Sequence, residues 1–189
     1  PYELIYINYH IGLSKYKPLS RSFFKILEID KKFRLFNSLY NNTKLKIGCL
    51  AEAPGGFIEG LLYNHKKRID SVYGISIYSD KKNIPNWNIF KKKMFYRKNI
   101  HLLYGNIYNL INIYKYIKNF DDRKADLVTS DGGFDFSNNY NNQEIDSHHI
   151  IFNEIIISFL ILRKGGNFVC KLFDLYNIFT IQMIYILTS

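Results

Sequence analysis

The stretch Leu45-Lys46-Ile47-Gly48-Cys49-Leu50-Ala51-Glu52-Ala53-Pro54-Gly55-Gly56-Phe57 decides the fold. Its opening residues form an apolar run of strand length, Gly55-Gly56 makes a tight turn, and residues 57–64 read as a helix. Glycine directly after a first strand lets a ligand come close to the backbone. Working outward, the same alternation repeats. Residues 71–77, 100–104, 125–130 and 167–171 are further runs of strand length. Residues 107–118 and 145–162 have helical length and spacing, Gly165-Gly166 stops the second of them, and a last helix starts at Ile178. Upstream, Pro18-Leu19-Ser20 reads as a helix start with Ser20 as N-cap, and residues 21–39 follow in rough helical register. Strands joined by crossovers of this length imply an α/β fold, a parallel-dominated sheet with helices on both faces. Such sheets bind ligands beyond the carboxyl ends of their strands.

The chain of 189 residues reads as an irregular, Tyr-rich segment at 1–17 followed by one domain at 18–189. The asparagine-rich stretches 37–43 and 138–142 read as loops. With 47% hydrophobic and 22% charged residues, a disordered tail is excluded. The chain opens at Pro1 and ends at Ser189 inside an apolar stretch, so it reads as a piece of a longer protein, incomplete at the C-terminus. Two cysteines, Cys49 and Cys170, make no disulfide framework, and with no signal peptide the expected setting is intracellular. The longest apolar run, 155–162, falls far short of the ~20 residues of a membrane span. Lys and Arg number 26 against 16 Asp and Glu, a net charge of +10. A polyanionic partner, most simply nucleic acid, would account for it. So would the coding bias that crowds the sequence with Asn, Ile, Lys and Tyr.

Three motifs sit at predicted strand ends. Glu52-Ala53-Pro54-Gly55-Gly56-Phe57 is either a ligand loop or an ordinary tight turn. Thr129-Ser130-Asp131-Gly132-Gly133-Phe134 puts an acid where it can reach both cofactor and substrate, or simply ends a strand in an Asx turn. Phe168-Val169-Cys170-Lys171-Leu172-Phe173-Asp174 closes an apolar strand with a lysine, a base or a side chain snorkelling at the sheet rim. A fourth motif, Ser20-Arg21-Ser22-Phe23-Phe24-Lys25, lies on the first helix, where Lys25 taken alone is a surface lysine. GxGxxG is absent, which argues against a nicotinamide or flavin oxidoreductase. His10, His65, His101, His148 and His149 show no metal-ligand spacing, so no metal is expected. The runs Lys66-Lys67-Arg68, Lys91-Lys92-Lys93 and Arg97-Lys98 either track phosphates or are solvated faces.

Together the four motifs, in this order, resemble the FtsJ/RrmJ-like RNA 2'-O-methyltransferases from residue 18 to the end. Asp131-Gly132-Gly133-Phe134, the run Lys171 to Asp174-Leu175, Gln143-Glu144 and Arg163-Lys164-Gly165-Gly166 look most like the mRNA cap-specific members of eukaryotes and large DNA viruses. The resemblance implies a Rossmann-like, S-adenosylmethionine-dependent methyltransferase fold. It implies transfer of a methyl group to a ribose 2'-hydroxyl of RNA, most simply at the capped mRNA 5' end. It assigns Lys25, Asp131 and Lys171 to catalysis, with Lys171 as general base. It assigns S-adenosylmethionine to Glu52, Ala53, Pro54, Gly55, Gly56, Phe57, Ser76, Asn106 and Asp131, with Asn106 near the adenine. A lysine at its reference pKa of about 10.4 is mostly protonated, and a nearby cation with partial burial makes it a base, so Lys25 would serve Lys171. Other capping subunits are possible partners, and the expected location is nucleus or cytoplasm, or a viral factory.

The sequence also departs from the family. After strand two it offers Ser76 and no acid before Asp80, and after strand three it has Gly105-Asn106 in place of Gly-Asp. The resemblance implies a glutamate completing the family's Lys-Asp-Lys-Glu tetrad, and it is expected beyond Ser189. Two alternatives stand beside the main reading: a methyltransferase-like module that binds RNA or a partner without reacting, and a ribosomal RNA 2'-O-methyltransferase. The sequence reading also expects that Gly55→Val blocks cofactor binding and leaves the fold intact.

Overall fold

A computed structural model describes residues 16–37, 39, 44–81, 84–94, 99–133 and 142–189. Most of the irregular N-terminal segment, most of the two asparagine-rich stretches, Phe134 and Arg97-Lys98 lie outside the described residues. In chain order the elements are α1 (Ser22–Phe33), β1 (Leu45–Leu50), α2 (Gly56–His65), β2 (Ile69–Ser76), α3 (Asn88–Lys93), β3 (Ile100–Tyr104) and α4 (Leu110–Ile117). A 3-10 turn (Lys118–Phe120), β4 (Ala125–Ser130), α5 (Gln143–Ile161), β5 (Leu162–Cys170) and α6 (Ile178–Thr188) follow.

The five strands form one sheet in the order β3-β2-β1-β4-β5, and every pairing is parallel. β1 and β4 are buried along their full length, which explains why they read as unbroken apolar runs. Alternate residues of β1 feed two cores. Leu45, Ile47 and Cys49 pack with Ile26 of α1, Phe57, Ile58 and Leu61 of α2, and Trp87 and Phe90. Leu50 packs on the opposite face with Tyr116, Phe120 and the Ile155 side of α5. Gly48 faces this second core, where a Cβ would stand 2.8 Å from Ile161.

Three expectations change. The first helix is shorter than 21–39: it ends at Phe33 because Arg34 turns left-handed (φ 53°) and its N–H bonds to the Asp30 carbonyl. Leu35, Phe36 and Leu39 are buried all the same, so their spacing recorded burial and not helix. Ser20 is not the N-cap. Arg21 is already helical in backbone, and the Ser20 hydroxyl is buried against Gly56 without a hydrogen-bond partner among the described residues. Gly165-Gly166 does not stop α5 either. The helix ends at Ile161, Leu162 is extended, and the glycines lie inside β5. There β5 bulges: Ala125 pairs with Leu162 but Leu127 pairs with Asn167. The bulge is pinned by Arg163, whose Nε donates to Asp126 Oδ1 at 2.7 Å. The short helix α3, built around the buried Phe90, appears in no sequence expectation.

The basic runs are partly used up in packing. Lys93 ion-pairs with Glu59, a fully buried carboxylate of α2, and donates to the Lys17 carbonyl. Lys91 lies 4.8 Å over the ring of Tyr104, and Arg68 donates to the Leu39 carbonyl and covers Phe36. Among the described residues no helix is long and apolar enough to cross a membrane.

Candidate active site

The carboxyl ends of β1, β4 and β5 converge on one cluster. Asp131 follows β4 directly, and Lys171 follows β5. The Lys171 Nζ donates to Asp131 Oδ1 at 3.0 Å and to the Asp131 carbonyl at 3.0 Å, and it lies 4.9 Å from the Phe173 ring centre. The other carboxylate oxygen of Asp131 accepts the Ser22 hydroxyl at 2.5 Å, which brings α1 onto the strand ends. Both oxygens of Asp131 are therefore held, one by a cation and one by a neutral donor. Lys25 stands exposed on α1, one turn beyond Ser22.

The β1 end contributes Glu52. Its side chain is buried, 3% exposed, and neither carboxylate oxygen has a hydrogen-bond partner among the described residues. Burial pushes its carboxyl well above the usual range, and the charges of Asp131 and Glu154 push the same way, while the Thr129 hydroxyl opposes. A second buried carboxylate, Glu154 of α5, accepts the Gly132 N–H at 3.0 Å. Three carboxyl groups and the one Lys171 amine thus meet at the strand ends, two of the three held toward their neutral form by burial.

The glycines of the first turn are also required by the protein's own packing. Gly55 has φ 104°, and a Cβ there would lie 2.5 Å from the Phe90 ring. A Cβ on Gly56 would lie 2.1 Å from Ser20 Oγ and 3.0 Å from the Phe23 N–H. These residues are glycine so that α1 and Phe90 can close onto the turn. Gly55→Val would thus strike the protein's own core, and the expectation that it spares the fold is withdrawn. Ala53 and Pro54 are partly exposed beside it, and Phe57 is buried in the core.

At the β2 and β3 ends, Ser76 is buried, and its carbonyl accepts the Gly105 N–H at 2.9 Å. Asn106 is exposed, but its Oδ1 is taken by the Tyr108 N–H at 2.9 Å. What it still offers an incoming group is its amide N–H donors. Ser22 and Glu154 are the residues that sequence reasoning missed. Glu154 did leave a signal, a lone acid in the isoleucine-rich stretch 150–162. Ser22 left none, since a serine in a first turn is ordinary. Among the described residues no three His, Cys, Asp or Glu side chains are grouped to hold a metal.

A parallel sheet in the order 3-2-1-4-5, with helices on both faces and charged groups gathered beyond the central strand ends, defines a doubly wound, Rossmann-like domain. The chain belongs to the FtsJ-like methyltransferase family, whose model matches residues 18–188. Among curated proteins it is 30% identical over 149 residues to the cap-specific mRNA (nucleoside-2'-O-)-methyltransferase 1 of Mus musculus, covering 71% of this chain and 17% of that protein. It is 25% identical over 199 residues to the Xenopus laevis protein of the same name, covering 89% and 22%. The chain thus spans about a fifth of the length of these relatives. Among solved structures, a ribosomal RNA methyltransferase from Plasmodium falciparum superposes with a TM-score of 0.64 at 20% identity, over 89% of this chain and 85% of that one. The sheet and its helices are accordingly those of a Rossmann-like methyltransferase.

Proposed function

We propose that this chain transfers a methyl group from S-adenosylmethionine to a ribose 2'-hydroxyl of RNA, at the capped 5' end of mRNA. The observation that carries the reading is the Lys171–Asp131–Ser22 chain of hydrogen bonds at the strand ends. A ribose hydroxyl is a weak acid, so it needs a base held within hydrogen-bond reach. Lys171, in its neutral amine form, accepts the hydroxyl proton and becomes the ammonium paired with Asp131. Asp131 sets the direction of the amine with two acceptors, its Oδ1 and its own carbonyl. Ser22 keeps the carboxylate from rotating. Lys25, one turn further along α1, supplies positive charge at the mouth.

The residues present suit this cofactor. Glu52 leaves two buried carboxyl oxygens without a hydrogen-bond partner among the described residues, and a cationic group beside them would offset the cost of ionising it there. Glu52, Ser76, Asn106, Asp131 and the 53–57 turn would hold it, with the Asn106 amide facing the adenine. When bound, it supplies an electrophilic methyl group on a sulfonium. Cap specificity is favoured by the mouse and frog relatives, and the Plasmodium structure bears on the fold alone.

Transfer of labelled methyl from S-adenosylmethionine to capped and uncapped RNA tests the reading. Label is expected in the ribose of capped RNA. Equal labelling of both RNAs removes the cap, and no labelling of either removes the enzyme. One observation favours a non-reacting binding module instead: Ser76 and Asn106 are neutral, and Asn106 has already spent its acceptor on its own turn. Calorimetry with S-adenosylmethionine separates the two, because a module that has lost the cofactor gives no heat.

A further inference from the structure

α5 carries a fully buried carboxylate, Glu154, to which the reading above gives no role. Glu154 is 0% exposed on a helix whose other buried positions are mostly isoleucine. Its Oε1 accepts the Gly132 N–H at 3.0 Å, while its Oε2 is buried without a hydrogen-bond partner among the described residues. A Cβ on Gly132 would stand 2.3 Å from Oε1, so the carboxylate lies directly against the turn that carries Asp131. For packing alone a leucine would serve better, because a half-satisfied buried carboxylate costs stability. Stability therefore does not explain the residue.

We propose that Glu154 is a positioning residue of the site: it fixes the Asp131-Gly132-Gly133 turn through the Gly132 N–H, and its charge acts on the Lys171 amine. The proposal rests on the methyl-transfer reading. The charged and titratable groups that face Glu154 are Lys171 and Asp131 at the strand ends, Cys170 on β5, Tyr108 ahead of α4, and Glu52 after β1. Burial pushes the Glu154 carboxyl up to about 8, against the opposing pull of Lys171. Near neutral pH it is protonated, and the Lys171 amine is paired with Asp131 alone. Above that range it ionises, and the ammonium form of Lys171 gains a second anion.

Glu154→Gln keeps the shape and the acceptor for Gly132 but cannot ionise. In that variant the rising limb of the pH–rate profile for methyl transfer is expected at lower pH, by about one unit, with the melting temperature retained. A profile that superposes on wild type overturns the proposal. A second measurement needs neither catalysis nor a folded variant. In the wild-type protein the Gly132 amide resonance is expected to titrate with an inflection between about pH 7 and 9, as its acceptor changes charge. An inflection in the ordinary glutamate range near 4.3, or none, overturns the proposal. If wild type transfers no methyl group, the functional reading fails, and the Gly132 titration still decides Glu154.

Discussion

The two ends of β4 treat buried acids in opposite ways. At the amino end, Asp126 is 4% exposed and fully answered. Its carboxylate accepts the Lys46 N–H at 2.9 Å, Arg123 Nη2 at 2.7 Å and Arg163 Nε at 2.7 Å. At the carboxyl end, Glu52 and Glu154 are as deeply buried yet keep oxygens without a hydrogen-bond partner among the described residues, and Asp131 is held by one lysine and one serine. The first end joins β1, β4 and the β5 bulge into a frame. The second carries polar groups whose burial weakens the fold, as ligand-binding sites do.

The largest effect that tests this contrast is on rate. Lys171→Arg keeps the charge but gives up no proton near neutral pH. Turnover is expected to fall by ~10²–10⁴-fold with cofactor affinity and melting temperature retained. Single-turnover transfer and a thermal melt check this, and near-normal turnover removes Lys171 from the chemistry. At the other end, Asp126→Ala strands two arginines and a backbone N–H. Both arginines are partly exposed, so the expected loss is about 2 kcal/mol, less than for a fully buried pair. Denaturant unfolding measures it, and turnover below the melting transition should stay within about two-fold. If that variant instead loses rate at full stability, the two ends are not separate.

Gly55→Ala sharpens the comparison from the side of the turn. With a positive φ and Phe90 in the way, it is expected to cost about 1–3 kcal/mol of stability. Normal melting with lost cofactor affinity would restore ligand approach as the reason for the glycine. A smaller signal lies in pH. Glu154 has a folded-state pKa raised above its unfolded value, so its contribution to stability is complete below the usual glutamate range and is lost as pH rises through about 8. Melting temperature should therefore fall less steeply with pH across that window in Glu154→Gln than in wild type.

The fold was legible wherever one physical rule governed a segment. β1, β4, the Gly-Gly turn and the alternation of strand and helix follow from apolar runs and backbone needs, and all stand where the residues put them. Local rules failed where tertiary contacts took over. Leu35 and Phe36 kept a helical spacing past a left-handed Arg34, and Gly165-Gly166 served a bulge that only Asp126, across the sheet, explains. In the site, Asp131 and Lys171 were legible because charged residues at the ends of buried strands need a reason. Ser22 was not, because its partner lies 109 residues away.

That separation bears on how the domain assembles. β1 lies at the centre of the sheet, and its second neighbour, β4, starts long after β2 and β3 are complete. The Ser22–Asp131 bond closes a loop of 109 residues, and the Lys171–Asp131 pair waits for β5. Non-local parallel pairing of this kind is slow because loop entropy is lost before contacts repay it. A chain emerging from the ribosome thus holds β1 with one flank open until β4 arrives, and Lys171 reaches Asp131 only as β5 docks.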